Sequence, residues 1–292
     1  MYIIQNDYLK VVINEKGATL WSIEDQHGHE YLWQGNPQYW GNRGPHLFPY
    51  IGRLSEGKYT FDGEEYEMNI HGFARNMVFK AVQISQKFVI FSIRDTKETY
   101  KQYPIHFSFS IMYKLDKNRI NITYYVKNED EKEMYFGVGG HPGFYVPMDQ
   151  NTQFEDWYLD FEVQQRVKQV EMSENALTTE NLHDYPLEEG VRIPLKHNLF
   201  DQDAIVLTNV PSSVLLKSDK SHRAIKVTYP QMPYVGFWHT PKTEAPFVCI
   251  EPWSSLPSRE GVVEDLATQP SLLSLKGHHD YINKWSVEII YN

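Results

Sequence analysis

Three short islands lie far apart in the chain: His71-Gly72-Phe73-Ala74-Arg75, Gly139-Gly140-His141-Pro142-Gly143-Phe144 and Cys249-Ile250-Glu251-Pro252-Trp253. Each sets a histidine or a glutamate among apolar residues, Gly and Pro. Two histidines and a carboxylate suit general acid–base catalysis, because their protons move near neutral pH once burial and neighbours tune them. Gly72 leaves room for a ligand to approach the backbone beside His71. The Gly and Pro residues flanking His141 suit a strand end that enters a pocket at a fixed angle. Glu251 follows Phe247-Val248-Cys249-Ile250, a run that reads as a buried strand, where a carboxylate is costly unless paired or functional. Structural roles stay open for each: a strand-end histidine, a turn histidine, a buried ion pair.

Other residues could hold a ligand. Arg53, in Phe48-Pro49-Tyr50-Ile51-Gly52-Arg53-Leu54, and Arg75 each offer a planar fork of donors in apolar surroundings. Asp203 leads into an apolar strand and could accept hydroxyl hydrogen bonds; a turn or cap role is equally open. The pairs His27/His29 and His278/His279 sit in polar, turn-like sequence and read as surface loops. Neither has the spacing of a zinc helix motif. The chain has no phosphate-cradling Gly loop, dinucleotide fingerprint or Gly-x-Ser-x-Gly elbow. Cys249, the single cysteine, reads as packing and rules out an internal disulfide.

The elements that must position these residues are strands. Ile105, Phe107, Phe109, Ile111, Tyr113 and Leu115 alternate with more polar neighbours, as do Ile120, Ile122, Tyr124 and Val126. Successive side chains leave a strand on opposite faces, so both runs read as half-buried strands joined in a hairpin. Asp62-Gly63 between Tyr59/Phe61 and Tyr66/Met68 marks another hairpin. Ile225 to Tyr229 and Trp285 to Tyr291 repeat the alternation. Thr96 to Tyr103, ended by Pro104, and Val262 to Thr268 are the helix candidates. The polar segment from Val167 to Tyr185 reads as a surface excursion. No strand–helix alternation occurs, so the expectation is all-β: one large antiparallel domain over residues 1–292.

The chain has 292 residues, 41 % hydrophobic and 23 % charged, with a formal net charge of -10, the profile of an ordinary folded protein. That charge argues against a nucleic-acid partner, while leaving room for one phosphate held by an arginine. The 20 Tyr, 15 Phe and 7 Trp fit strands and also fit the aromatic walls of sugar sites. The start lacks a signal-peptide pattern and no apolar run reaches membrane-spanning length, so a cytoplasmic location away from membranes is expected.

Taken in order, the segments Asn42 to Pro49, Gly52-Arg53-Leu54, His71 to Arg75, Gly140 to Phe144, Phe200 to Ile205 and Cys249 to Trp253 resemble the aldose 1-epimerase (galactose mutarotase) superfamily, most closely its LacX-like branch. The resemblance implies an antiparallel β-supersandwich with an open sugar cleft. It implies cofactor-free interconversion of the α and β anomers of an aldose, with no metal. By motif, Glu251 matches the general base, His141 the general acid, His71 the second site histidine and Arg53 the sugar-binding arginine. Asp203 matches the sugar-binding aspartate through Phe-x-x-Asp-Ala alone. Arg75 belongs to a form shared with the hexose-6-phosphate mutarotase branch, which opens the substrate class to phosphorylated aldoses. Phe73, Trp238 and Trp253 are candidates for a sugar-stacking wall. The expected partner is a small sugar, and the assembly a monomer or homodimer. Two rivals stand beside this: a non-catalytic carbohydrate-binding domain of the same fold, and a metal site built from His71, His141 and Glu251.

Overall fold

The computed structural model describes residues 1–291. Two antiparallel sheets dominate it. The larger has nine strands, in the order Arg192–Pro194, Trp157–Asp160, Ser213–Ser218, Ala224–Thr228, Asp280–Ile290, Arg119–Asn128, Phe107–Asp116, Phe88–Arg94 and Lys80–Ser85. The hairpin expected from alternation is there, with Ile120 opposite Leu115 and Tyr124 opposite Ile111. Along Phe107–Asp116 the odd-numbered residues are buried and the even-numbered ones less so, the period-two signature of a sheet covered on one face. The Asp62-Gly63 turn also forms, with both residues at positive φ between strands Lys58–Phe61 and Glu64–Glu67.

The eight-stranded sheet carries two of the three islands, and the His71 island touches it through an isolated bridge of Gly72 to Phe48. Its path runs Thr178–Asp184, Lys168–Met172, Ile205–Thr208, Tyr234–Trp238, Phe247–Trp253, Gly139–Gly140 and His46–Leu47, with Gly143–Tyr145 also paired to Phe247–Trp253. Strand Phe247–Trp253 is buried at every residue. Its two faces nonetheless differ. Val248 and Ile250 join the main core with Phe109, Ile111 and Val287. Phe247 and Cys249 join a Trp33 cluster on the other face, and Trp253 packs with Leu47, Ile51 and Val206. Glu251 shares the parity of that second face, so alternation alone turns its carboxylate away from the core.

Two sequence expectations need correction. Val262 to Thr268 is not a helix. Its backbone pairs with the Lys58–Phe61 strand instead: Thr60 donates to Glu264 at 2.9 Å and Leu266 donates back to Thr60 at 3.0 Å, burying Leu266. Sheet partners and a core slot outweigh weak helical propensity. The Val167 to Tyr185 segment does lie at a sheet edge, but as a hairpin of Lys168–Met172 and Thr178–Asp184. Of its large apolars, Val167, Val170 and Leu177 are buried, whereas Leu182 is exposed. Lys97–Gln102 is the α-helix expected after Thr96, whose side chain caps it. Among the described residues no helix is long and apolar enough to cross a membrane.

One turn is held by glycine. Gly72 has φ +68°, and a Cβ there would meet the Phe48 carbonyl oxygen at 2.3 Å. Gly72→Ala should therefore cost roughly 1–3 kcal/mol or more, from left-handed strain plus the clash. A lowered urea midpoint with unchanged slope checks it.

Candidate active site

His71 is presented by a turn locked to the neighbouring bend at Gly52. His71 N–H donates to the Gly52 carbonyl at 2.9 Å, and Gly52 N–H donates to His71 Nδ1 at 3.1 Å. His71 itself takes φ +65°, so two consecutive left-handed residues aim the ring. Because Nδ1 accepts, the proton of the neutral ring sits on Nε2, leaving that N–H as a donor. Burial, then the neighbouring His141, Arg75 and Arg53, press the His71 pKa well down, so the ring is neutral.

His141 leaves the short Gly139–Gly140 strand. Its N–H donates to the Pro45 carbonyl at 3.0 Å, and the Pro142 carbonyl accepts from Ile250 at 3.2 Å. Gly140 is required here, because a Cβ would lie 2.6 Å from the Trp285 ring. The imidazole stacks on Trp40, with centroids 4.9 Å apart and planes at 24°, and meets Trp238 and His71 edge-on at 5.8 and 5.6 Å. Three rings thus fix its orientation.

Its Nε2 lies 3.3 Å from Glu251 Oε2. Glu251 is 1 % exposed. Burial, reinforced by the Asp203 carboxylate, pushes its pKa well up, and the Trp253 indole offsets part of that. Burial pushes His141 the other way, towards the neutral imidazole. A carboxyl drawn towards its acid form beside an imidazole drawn towards its base form makes one unit that holds one transferable proton.

These groups open into a cavity of about 280 Å³ lined by Arg53, His71, Arg75, His141, Asp203, Trp238, Glu251 and Trp253. That volume is near the lower end of the ~300–1,000 Å³ usual for small-molecule sites. Eight of the nine residues singled out from the sequence therefore converge. Phe73 does not. It is buried in the core, stacked on Phe107 and edge-on to Phe48, because the left-handed turn at His71-Gly72 sends the next side chain inward. The Asn42 to His46 run supports the site from behind. Arg43 lies over the Trp21 ring at 3.9 Å and donates to the Trp21 carbonyl, and His46 is buried between Tyr124 and Tyr113. Sequence reasoning missed Trp40, the platform under His141, whose only local mark is a Trp-Gly step just before Asn42. It also missed Met172 and Ala176, which the edge hairpin brings to the cavity wall. Among the described residues, the three donor groups that come within 4.8 Å of one another are those of His141, Cys249 and Glu251, not the His71, His141 and Glu251 trio, and His71 Nδ1 is already committed to Gly52.

The family model for aldose 1-epimerase matches residues 1–264. The chain belongs to the aldose 1-epimerase family. Protein LacX of Lactococcus lactis subsp. lactis, from a plasmid, is 32 % identical to this family member over 283 residues, 93 % of this chain and 94 % of that protein. The galactose mutarotase related enzyme of Lactobacillus acidophilus superposes with a TM-score of 0.92 at 34 % identity, covering 99 % of this chain and 96 % of that one. A galactose mutarotase-like protein from Lactobacillus casei gives 0.94 at 29 % identity, covering 99 % of both chains. This aldose 1-epimerase family member thus has the galactose mutarotase-like all-β fold expected from its motifs.

Proposed function

We propose that the protein is a mutarotase that interconverts the α and β anomers of an aldohexose without a cofactor. The observation that supports this most is the 3.3 Å approach of His141 Nε2 to Glu251 inside a cavity walled by Trp40, Trp238 and Trp253. In the ionic form of the pair Glu251 takes the proton of the anomeric hydroxyl, O1, while His141 gives its proton to the ring oxygen, O5. The C1–O5 bond breaks and C1 becomes an aldehyde. Rotation about C1–C2 presents the other carbonyl face to the O5 hydroxyl, and the reverse transfers close the opposite anomer. His71 Nε2–H hydrogen-bonds near O5. Arg53 and Asp203 hold hydroxyls, and the indole faces stack on the C–H face of the sugar. Each positioned proton-transfer group of this kind is worth about 10²–10⁴-fold. The pairing also weighs against a non-catalytic sugar-binding role, since binding hydroxyls requires no matched acid and base. Polarimetry of freshly dissolved α-anomers tests the reading. Acceleration of at least one aldose is expected, and none across a panel of free and 6-phosphorylated aldoses would defeat it.

One observation favours a phosphorylated aldose as the substrate. Arg75 is half-buried at the cavity, and its Nε is buried with no hydrogen-bond partner among the described residues. Burial disfavours its charged form, a desolvation cost that a bound anion would offset. Arg75→Ala should then raise KM for a 6-phosphorylated aldose about 10–100-fold, from the ~1.5–3 kcal/mol of a hydrogen bond to a charged group. KM for free aldoses should barely move. Equal loss on both would assign Arg75 to structure.

A further inference from the structure

Cys249 takes no part in the acid–base scheme. It stands two residues before Glu251 on strand Phe247–Trp253, so the two side chains leave the same face. Its Sγ, a ring nitrogen of His141 and a carboxylate oxygen of Glu251 all lie within 4.8 Å of one another. Thiolate, imidazole and carboxylate are the three protein ligands of zinc. Glu251 is almost wholly buried, and its one ion-pair contact among the described residues is that with His141. The carboxylate therefore keeps lone pairs free for a ligand.

We propose that His141, Cys249 and Glu251 form an inhibitory site for a thiophilic divalent cation, Zn²⁺ or Cd²⁺, entered from the sugar cavity and completed by water as the fourth ligand. The inhibition rests on the acid–base reading above, because the cation takes the lone pairs that Glu251 and His141 use on the sugar. Binding is a simple exchange: a metal–sulfur bond replaces the Cys249 S–H bond, the proton leaves to solvent and nothing is oxidised. Zn–S near 2.3 Å and Zn–N or Zn–O near 2.0–2.2 Å put tetrahedral donors roughly 3.4–3.6 Å apart. His141 Nε2 and Glu251 Oε2 already stand 3.3 Å apart, so the closure, up to about 1 Å, falls on Cys249 Sγ through its side-chain torsion. That closure weakens the site relative to a preformed structural one, so binding in the micromolar range is expected.

The test uses the full-length protein titrated with Cd²⁺ and with Zn²⁺. One Cd²⁺ per chain should bind with an ultraviolet sulfur-to-cadmium charge-transfer band, and Cys249→Ala should lack that band. Zn²⁺ should slow mutarotation by the wild type, a chelator should restore it, and Cys249→Ala should keep its metal-free rate while losing about tenfold or more of its zinc sensitivity. Absence of the band in the wild type overturns the site, as does equal zinc sensitivity in Cys249→Ala. The band needs neither catalysis nor the variant, so it decides the matter even if Cys249→Ala fails to fold. A wild-type protein that shows the band yet accelerates no sugar would refute the mutarotase reading while leaving the metal site standing.

Discussion

Glu251→Gln should lower anomer interconversion by about 10²–10⁴-fold, as read by polarimetry on any aldose that the wild type accelerates. The amide matches the carboxylate in shape but has no basic oxygen for the O1 proton. Its NH₂ group can donate to the neutral His141 Nε2 while its carbonyl oxygen can still accept from the Trp253 indole, so the wall should stay intact while the chemistry stops. Folding provides the control. A carboxyl whose pKa is raised by burial destabilises the native state as pH climbs from its unfolded value, near 4.3, towards its folded value, and the penalty is full above that. Gln carries no such penalty. The variant should therefore match the wild type in stability near pH 4 and exceed it in alkaline buffer, as read from urea midpoints. A catalytically dead protein that is more stable at high pH separates loss of the base from loss of the fold. Equal rates for the two proteins on every responsive sugar would remove Glu251 from the mechanism.

His141→Asn should produce a loss of similar size, about 10²–10⁴-fold, borne by kcat more than by KM. The His141 ring is held by Trp40, Trp238 and His71, and Asn fills only part of that slot, so the position of the donor is lost along with its proton. The pH profile carries the sharper signature. Glu251 and His141 share one proton at 3.3 Å, so the wild-type profile should be a bell whose limbs belong to the pair. Activity falls at low pH as the carboxylate is protonated, and at high pH as the acid gives up its proton. In His141→Asn the alkaline limb should vanish from the residual activity while the acidic limb, set by Glu251, survives. An unchanged bell with a raised KM would make His141 a sugar-binding ring and nothing more.

Much of the scaffold was readable from the chain, because its causes are local. Strict alternation from Ile105 to Leu115 and from Ile120 to Val126 leaves a strand pair few other choices. Asp62-Gly63 marks its turn because both residues tolerate positive φ. Glu251 stood out because a carboxylate closing an apolar run needs a reason. The failures are equally physical. Phe73 looked like a sugar platform from its place beside His71, yet a turn with two positive φ values reverses the chain and sends it to the core. Trp40 was invisible because its meaning lies in stacking on a residue far along the chain. Val262 to Thr268 lost its helix to a distant strand that offered its backbone better partners.

The amino-acid order thus determined by itself which residue types can move protons, the period-two strands that carry them and the glycines that bend the chain beside them. Tertiary structure decided which of those groups meet. It set Glu251 against His141, committed His71 Nδ1 to Gly52, left Arg75 Nε without a partner among the described residues and tucked Cys249 beside the pair. The division has one physical reason. Strand period and turn geometry are properties of neighbouring residues, whereas proton affinity depends on burial and on charges a few ångströms away, supplied by segments remote in sequence.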